Sequence, residues 1–232
     1  MGNNNIGIKA VEAQELPFLL ELSRDTFVRN YGHLNEPVYF QQYLDKAFNL
    51  PQFEAEWADP LSLFYWTMVD GEYAGYCKLM REAPAKGLEE AGDQVLEIQR
   101  IYVDDRFQKL GLGKLMLQKT LEIAQASNYQ WIWLGVWENN HKAIAWYQSQ
   151  GFEAFGEHIF WMGDDPQRDW LMKIKVKSEK QVHHLDFTAG CIFFTFHFSL
   201  LSFTSSVAVF SCYFPHPSAS FGHAWHPCGW RH

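Results

Sequence analysis

The sequence predicts an α/β fold in which a mixed, mostly antiparallel sheet is flanked by helices. Three observations predict it. Apolar or alternating runs at 61–69, 73–80, 95–103, 131–137 and 152–161 read as strands, while 15–31, 114–126 and 140–149 carry apolar residues at helical spacing. Asp70-Gly71 between the first two strand-like runs is a strong hairpin turn. The run 95–103 then leads through a glycine-containing loop into a long amphipathic stretch.

The elements follow in order. Residues 6–11 form a short opening strand. In 15–31, Leu16, Leu19, Leu20, Ser23 and Phe27 fall on one helical face. Asn35-Glu36-Pro37 reads as a cap followed by proline at the first helical position, starting a second helix that ends near Phe48. A third, short helix covers 51–58. Residues 82–92 are a loop rich in Pro, Gly and Ala. Strand 95–103, helix 114–126, strand 131–137 and helix 140–149 come next, and strands 152–161 and 170–176 close the sheet. Asp164-Asp165-Pro166 is a turn signal between those last two. Alternation along 95–103 puts Glu97, Gln99, Ile101 and Val103 on one face.

At 232 residues the chain can hold one domain with a full core. Residues 1–177 carry 25 acidic and 17 basic side chains, so the whole net charge of −8 lies there. That surface disfavours nucleic acid; it suits a cationic partner, and it suits ordinary solubility equally well. Within 1–177 the one cysteine is Cys77, in a strand-like run, where a buried small hydrophobe is expected rather than a nucleophile or a disulfide partner. The start, Met1-Gly2-Asn3-Asn4-Asn5, lacks a basic-then-apolar leader, and Ile6 stands where a myristoylation signal prefers Ser or Thr. A cytoplasmic location is expected.

The remainder, 178–232, does not share this pattern. From 187 to 230 there is no Asp, Glu, Lys or Arg, and seven of the ten His and three of the four Cys lie beyond 177. The preferred reading is a disordered or aberrant C-terminal extension without an evolved role. The stretch 191–214 is long enough for a membrane anchor, since about 20 residues suffice, but it contains His197 and seven Ser or Thr. His223, His226 and Cys228 have a spacing that matches no standard metal site, so no metal is expected.

Gln108-Lys109-Leu110-Gly111-Leu112-Gly113 is the stretch that speaks to function. Glycines between a strand and a helix allow a tight turn and close approach to an anion, at which the first helical N–H groups point. A Walker A loop would need Gly at 108 and Ser or Thr at 115, where Gln108 and Leu115 stand. A Rossmann fingerprint from Gly111 would need a small residue at 116, and Met116 is there.

What remains resembles the acyl-CoA loop of the GCN5-related N-acetyltransferases. A second signature of that superfamily is matched by Asn140-His141-Lys142-Ala143-Ile144-Ala145-Trp146-Tyr147 followed by Gly151-Phe152. Stretches 133–140 and 158–165 are similar to its PaiA-like branch, regulators of sporulation and protease synthesis that resemble polyamine acetyltransferases. The resemblance implies an N-acetyltransferase domain over 1–177 with acetyl-CoA as cosubstrate. By that resemblance Gln108, Lys109, Leu110, Gly111, Leu112, Gly113 and Lys114 bind the pyrophosphate, and backbone groups of Ile101, Tyr102 and Val103 bind the pantetheine arm. Asn140 is implied as a further cofactor contact, though it also suits a helix cap.

Acetyl transfer also needs a neutral amine and a protonated leaving thiolate. The resemblance gives Glu97 the role of general base and Tyr147 that of general acid, against the simpler readings of a solvated glutamate and a core tyrosine. Asp164, Asp165 and Asp169 are candidate contacts for a cationic amine. Arg100 and His158 recur in the branch signature without a derivable role. The expected substrate is a polyamine or other small primary amine. A protein N-terminal or lysine acetyltransferase, or an acetyl-CoA-binding regulator with little turnover, are the alternatives. A membrane enters only if 191–214 is an anchor, and a homodimer stays open.

Overall fold

A computed structural model describes residues 4–177 of the chain. Within them the strands are β1 (Ile6–Ala10), β2 (Ser62–Val69), β3 (Glu72–Arg81), β4 (Val95–Val103), β5 (Trp131–Trp137), β6 (Glu153–Met162) and β7 (Asp165–Lys175). The α-helices are α1 (Leu16–Tyr31), α2 (Pro37–Ala47), α3 (Leu50–Ala58), α4 (Leu112–Ala126) and α5 (His141–Ser149). The expected C-terminal extension, 178–232, lies outside the described residues, and with it the alternative anchor at 191–214 and His223, His226 and Cys228.

The seven strands form one sheet in the order β1-β2-β3-β4-β5-β7-β6. All neighbouring pairs are antiparallel except β4 and β5. This is the mixed, mostly antiparallel sheet the sequence predicts. Asp70 and Gly71 form the expected hairpin turn, with φ of 50° and 86°, a conformation in which both central residues match the strand twist. Glu36 caps α2 by accepting from the N–H groups of Val38 and Tyr39, and Pro37 takes the first helical position.

Helices cover both faces. α1, α2 and α3 pack Leu19, Phe27, Phe40, Tyr43 and Phe53 against Trp66, Tyr76 and Tyr102 on one face. α4 and α5 pack Leu112, Met116, Leu117, Ala143 and Tyr147 against Ile98, Ile101, Val103, Leu134 and Val136 on the other. Cys77 is fully buried in this second core, where burial pushes its thiol up to about 12, so it is inert as expected.

Two expectations are corrected. β7 begins at Asp165, not near 170, because the turn is made by Gly163-Asp164 and Met162 already pairs with Asp165. The alternation expected along β4 also fails. Ile98 pairs with Leu79 and Arg100 with Lys78, so Gln99 is an extra residue in a bulge. Ile98, Ile101 and Val103 therefore face α4 and α5, while Tyr102 faces α1–α3. Glu97, adjacent to Ile98 before the bulge, lies on the face opposite Ile101 and Val103.

Candidate active site

The parallel ladder of β4 and β5 covers Val95–Glu97 against Trp131–Trp133. Both strands continue past it, β4 to Val103 and β5 to Trp137. The sheet thus opens between them, and the β4 edge from Gln99 onward is released toward the gap. Ile101, Tyr102 and Val103, all buried, form that edge. An extended arm with amide groups could add there as a strand would.

The chain leaves β4 through the turn 105–107 and enters the loop. Lys109 and Gly111 take φ of 67° and 80°, and Gly111 caps α4. A Cβ on Gly111 would meet nothing within 4 Å, so glycine is needed there for its backbone conformation rather than for space. Left-handed residues alternating with helical ones turn successive N–H groups into one concavity, and the helix end adds its own donors. Leu112, Gly113 and Lys114 supply the first turn of α4; Lys109 and Lys114 are exposed and Leu110 half-buried. The loop fits a pyrophosphate.

Gln108 and Asn140, predicted from separate motifs, line one cavity of about 330 Å³ together with Tyr31, His33, Trp137 and Lys142. Asn140 caps α5 by accepting from the Ala143 N–H at 3.2 Å, and its Nδ2 donates to Tyr31 Oη at 3.3 Å. The cap role is therefore real, and the residue also ties α5 to α1 at the mouth of the opening. Tyr147 lies deeper on the α5 side, fully buried, with ring contacts to Trp146 and Phe152 at 5.0 and 5.3 Å.

Glu97, at the last rung of the ladder, is fully buried. Its Oε2 accepts from Gln99 Nε2 at 3.0 Å, and its Oε1 has no hydrogen-bond partner among the described residues. Burial pushes its carboxyl up to about 8, against opposing effects of Gln99 and Lys78. A carboxyl so placed can exchange a proton near neutral pH. It lines neither the large cavity nor the small one described next.

That second cavity, of about 20 Å³, shares Tyr31 and Trp137 with the first and adds Phe27, Phe160, Met162, Gln167 and Asp169. Of the three candidate aspartates, Asp164 is exposed and Asp165 half-buried; Asp169 alone is buried and in the cavity wall. The signal for it was an acidic residue at an inward position of β7, hidden by the late strand start the sequence suggests. His158 pairs with Asp169 across the ladder, its Nε2 at 3.9 Å from Oδ2. Arg100 belongs elsewhere: it grips Glu56 of α3 with two bonds of 2.9 and 3.0 Å, and Lys78 Nζ adds a third at 2.8 Å. Its role is to fasten α3 to the sheet beside the bulge.

Residues 18–152 match the model of the Acetyltransferase (GNAT) family. The chain belongs to that family. An uncharacterised N-acetyltransferase of Lactobacillus delbrueckii subsp. lactis is 40% identical over 173 residues, 72% of this chain and 96% of that protein. Among solved structures, the PaiA N-acetyltransferase from Thermoplasma acidophilum in complex with coenzyme A is similar with a TM-score of 0.59 at 18% identity, covering 74% of this chain and 99% of that one. The spermidine N-acetyltransferase from Vibrio cholerae in complex with CoA and spermine gives 0.55 at 18%, covering 74% and 95%. At such identities the likeness is one of fold. This GNAT protein is an N-acetyltransferase whose cosubstrate is acetyl-CoA. Among the described residues no helix is long and apolar enough to cross a membrane.

Proposed function

We propose that this GNAT domain, residues 1–177, transfers the acetyl group of acetyl-CoA to a primary amine of the polyamine class. The observation that carries the reading is the opening past Glu97 and Trp133, beside which lie the cavity lined by Gln108 and Asn140 and an aromatic pocket with Asp169 in its wall. The acidic balance of 1–177 supports a cationic substrate. So does the fold shared with an enzyme whose structure contains spermine.

In the mechanism, Gln108 to Lys114 hold the pyrophosphate through backbone N–H groups. Ile101, Tyr102 and Val103 hold the pantetheine arm, and a β4 N–H polarises the thioester carbonyl. Glu97, in its ionised form, removes a proton from the reacting ammonium, directly or through one water, because only the neutral amine is nucleophilic. The amine nitrogen then attacks the carbonyl carbon and the carbon–sulfur bond breaks. Tyr147 protonates the departing thiolate and is restored by the proton that the new amide nitrogen loses, so that one proton per turnover, the one taken by Glu97, passes to solvent.

The test is thiol release from acetyl-CoA by the full chain with spermidine, putrescine and short peptides bearing free N-termini or lysines. The reading predicts turnover with the polyamines well above that with any peptide. Turnover confined to peptides, or none with any acceptor, would overturn it.

A further inference from the structure

Resting on that reading of the site, we propose that Asp169 is the anchor for a non-reacting ammonium group of the polyamine substrate, at the floor of the small aromatic pocket beside the β4–β5 opening. The pocket is built across three strands and a helix. His158 of β6, Asp169 of β7 and Trp137 of β5 stand in one row of the sheet. Tyr31 and Phe27 of α1 close it from above, with Phe160 at the side. Its volume of about 20 Å³ exceeds the roughly 10–15 Å³ that one water occupies by this measure. An ammonium head has about that size, so the pocket can take one.

Gly135 makes the room. A Cβ there would lie 3.1 Å from His158 Cε1 and 3.5 Å from Asp169 Oδ2. Gly135 is two residues past Trp133, the last rung of the β4–β5 ladder, so the Asp169 carboxyl stands next to the opening. The larger cavity, which shares Tyr31 and Trp137, gives the rest of a slender substrate a way out to solvent.

The electrostatics suit a visiting cation. No Lys or Arg is in an ion pair with Asp169 among the described residues; its recorded partner is His158, whose imidazole is held below its usual pKa by burial and so is neutral near pH 7. Arg168, next along β7, turns away to Glu138 and Glu157. Glu138 adds negative potential from the end of β5, and Tyr31 is the titratable group on α1 facing the pocket. Gln167 commits its amide N–H groups to Asn35 and Asp165, so its carbonyl oxygen is the part that can accept from a donor. Four aromatic rings complete a cage of the kind that holds ammonium groups.

One consequence is a proton. Burial and then Glu138 push the empty Asp169 carboxyl up to about 8, so it is protonated at pH 7. An arriving ammonium favours the carboxylate, and the proton leaves to solvent. Binding should tighten as pH rises toward 8, well below the pKa of about 10 at which an alkyl ammonium loses its own charge.

The experiment titrates spermidine into the CoA-saturated full chain by calorimetry at pH 7 in buffers of different ionisation enthalpy, and measures KM for spermidine and acetyl-CoA. The wild type should release close to one proton per spermidine bound. Asp169→Asn, which mimics the protonated acid in shape, should release none. It should raise the spermidine KM tenfold or more and leave the acetyl-CoA KM unchanged. Phe160→Trp, which fills the pocket and spares the carboxyl, should weaken spermidine similarly. Unchanged spermidine KM and proton release in Asp169→Asn would overturn the assignment, as would a fall in kcat alone. Binding is read without turnover. A wild type that binds spermidine with proton release but acetylates no small amine would therefore sink the proposed function and spare the anchor.

Discussion

Ile98 and Ile101 face the same side of the sheet although three positions separate them, because Gln99 bulges out of the pairing with β3. The bulge distributes the chemistry. Tyr147 shares the α4–α5 side with Ile101 and Val103, whereas Glu97 and Asp169 belong to the side covered by α1–α3. In the proposed reaction the proton acceptor and the proton donor therefore approach the thioester from opposite faces of the opening.

Glu97→Gln should slow transfer most for amines of high pKa, since these depend most on help in losing a proton. Amines of low pKa should suffer least, and equal slowing of all amines would speak against a base. The same variant has a stability signature. The wild-type carboxyl is raised to about 8 by burial, so its contribution is full below its ordinary value near 4.5 and is lost as pH rises from there through about 8. The slope cannot exceed about 1.4 kcal/mol per pH unit. Urea unfolding across that window should show the loss in the wild type and not in the Gln variant.

Tyr147→Phe should lower kcat by about 10²-fold with little change in acetyl-CoA binding, because it removes a proton donor and almost no volume. Stopped-flow thiol release separates the two effects. Unchanged turnover at every pH would leave Tyr147 as a packing residue between Trp146 and Phe152.

Glu56→Gln should destabilise the fold by about 3–5 kcal/mol at pH 7, since it strands the buried Lys78 and Arg100 cations. Burial alone would raise the Glu56 carboxyl, but Arg100 and Lys78 outweigh it and hold it at about 2. That stability is present above the ordinary carboxylate range and is lost as pH falls through about 2. Chemical unfolding of wild type and variant at pH 7 and pH 3 measures it.

Much of this architecture is legible in the sequence because its signals are local. The Asp70-Gly71 hairpin, the Glu36-Pro37 helix start and the run 95–103 with its loop need only neighbours in the chain. What is hidden depends on partners far away. Gln99 looks like any strand residue until Lys78 and Leu79 pair on either side of it. The polar start of β7, Asp165 to Arg168, reads as loop until β6 pairs with it. Arg100 and Lys78 look misplaced in apolar strands until Glu56, 44 and 22 residues away, neutralises them. Asp169 follows the exposed Asp164 and the half-buried Asp165 in the chain, and only the three-strand row sets it apart.

Removing 178–232 should leave folding and acetyl transfer intact. The sheet has both of its edge strands, β1 and β6, and its last strand ends at Lys175. The shortened chain should also be more soluble, since it lacks a long uncharged aromatic stretch. Lost activity after truncation would mean that the extension completes the site.

We propose that the turn at Gly111 receives the pyrophosphate of acetyl-CoA. Calorimetric titration of CoA into wild type, Gly111→Ala and Gly111→Glu tests it most directly. A Cβ at Gly111 meets no atom within 4 Å, so alanine adds only the strain of a positive φ, about 1–2 kcal/mol. Glutamate adds to that a negative charge where the phosphates should lie. The account predicts a modest loss of CoA affinity with alanine and near-complete loss with glutamate. Equal affinity in all three proteins would contradict it.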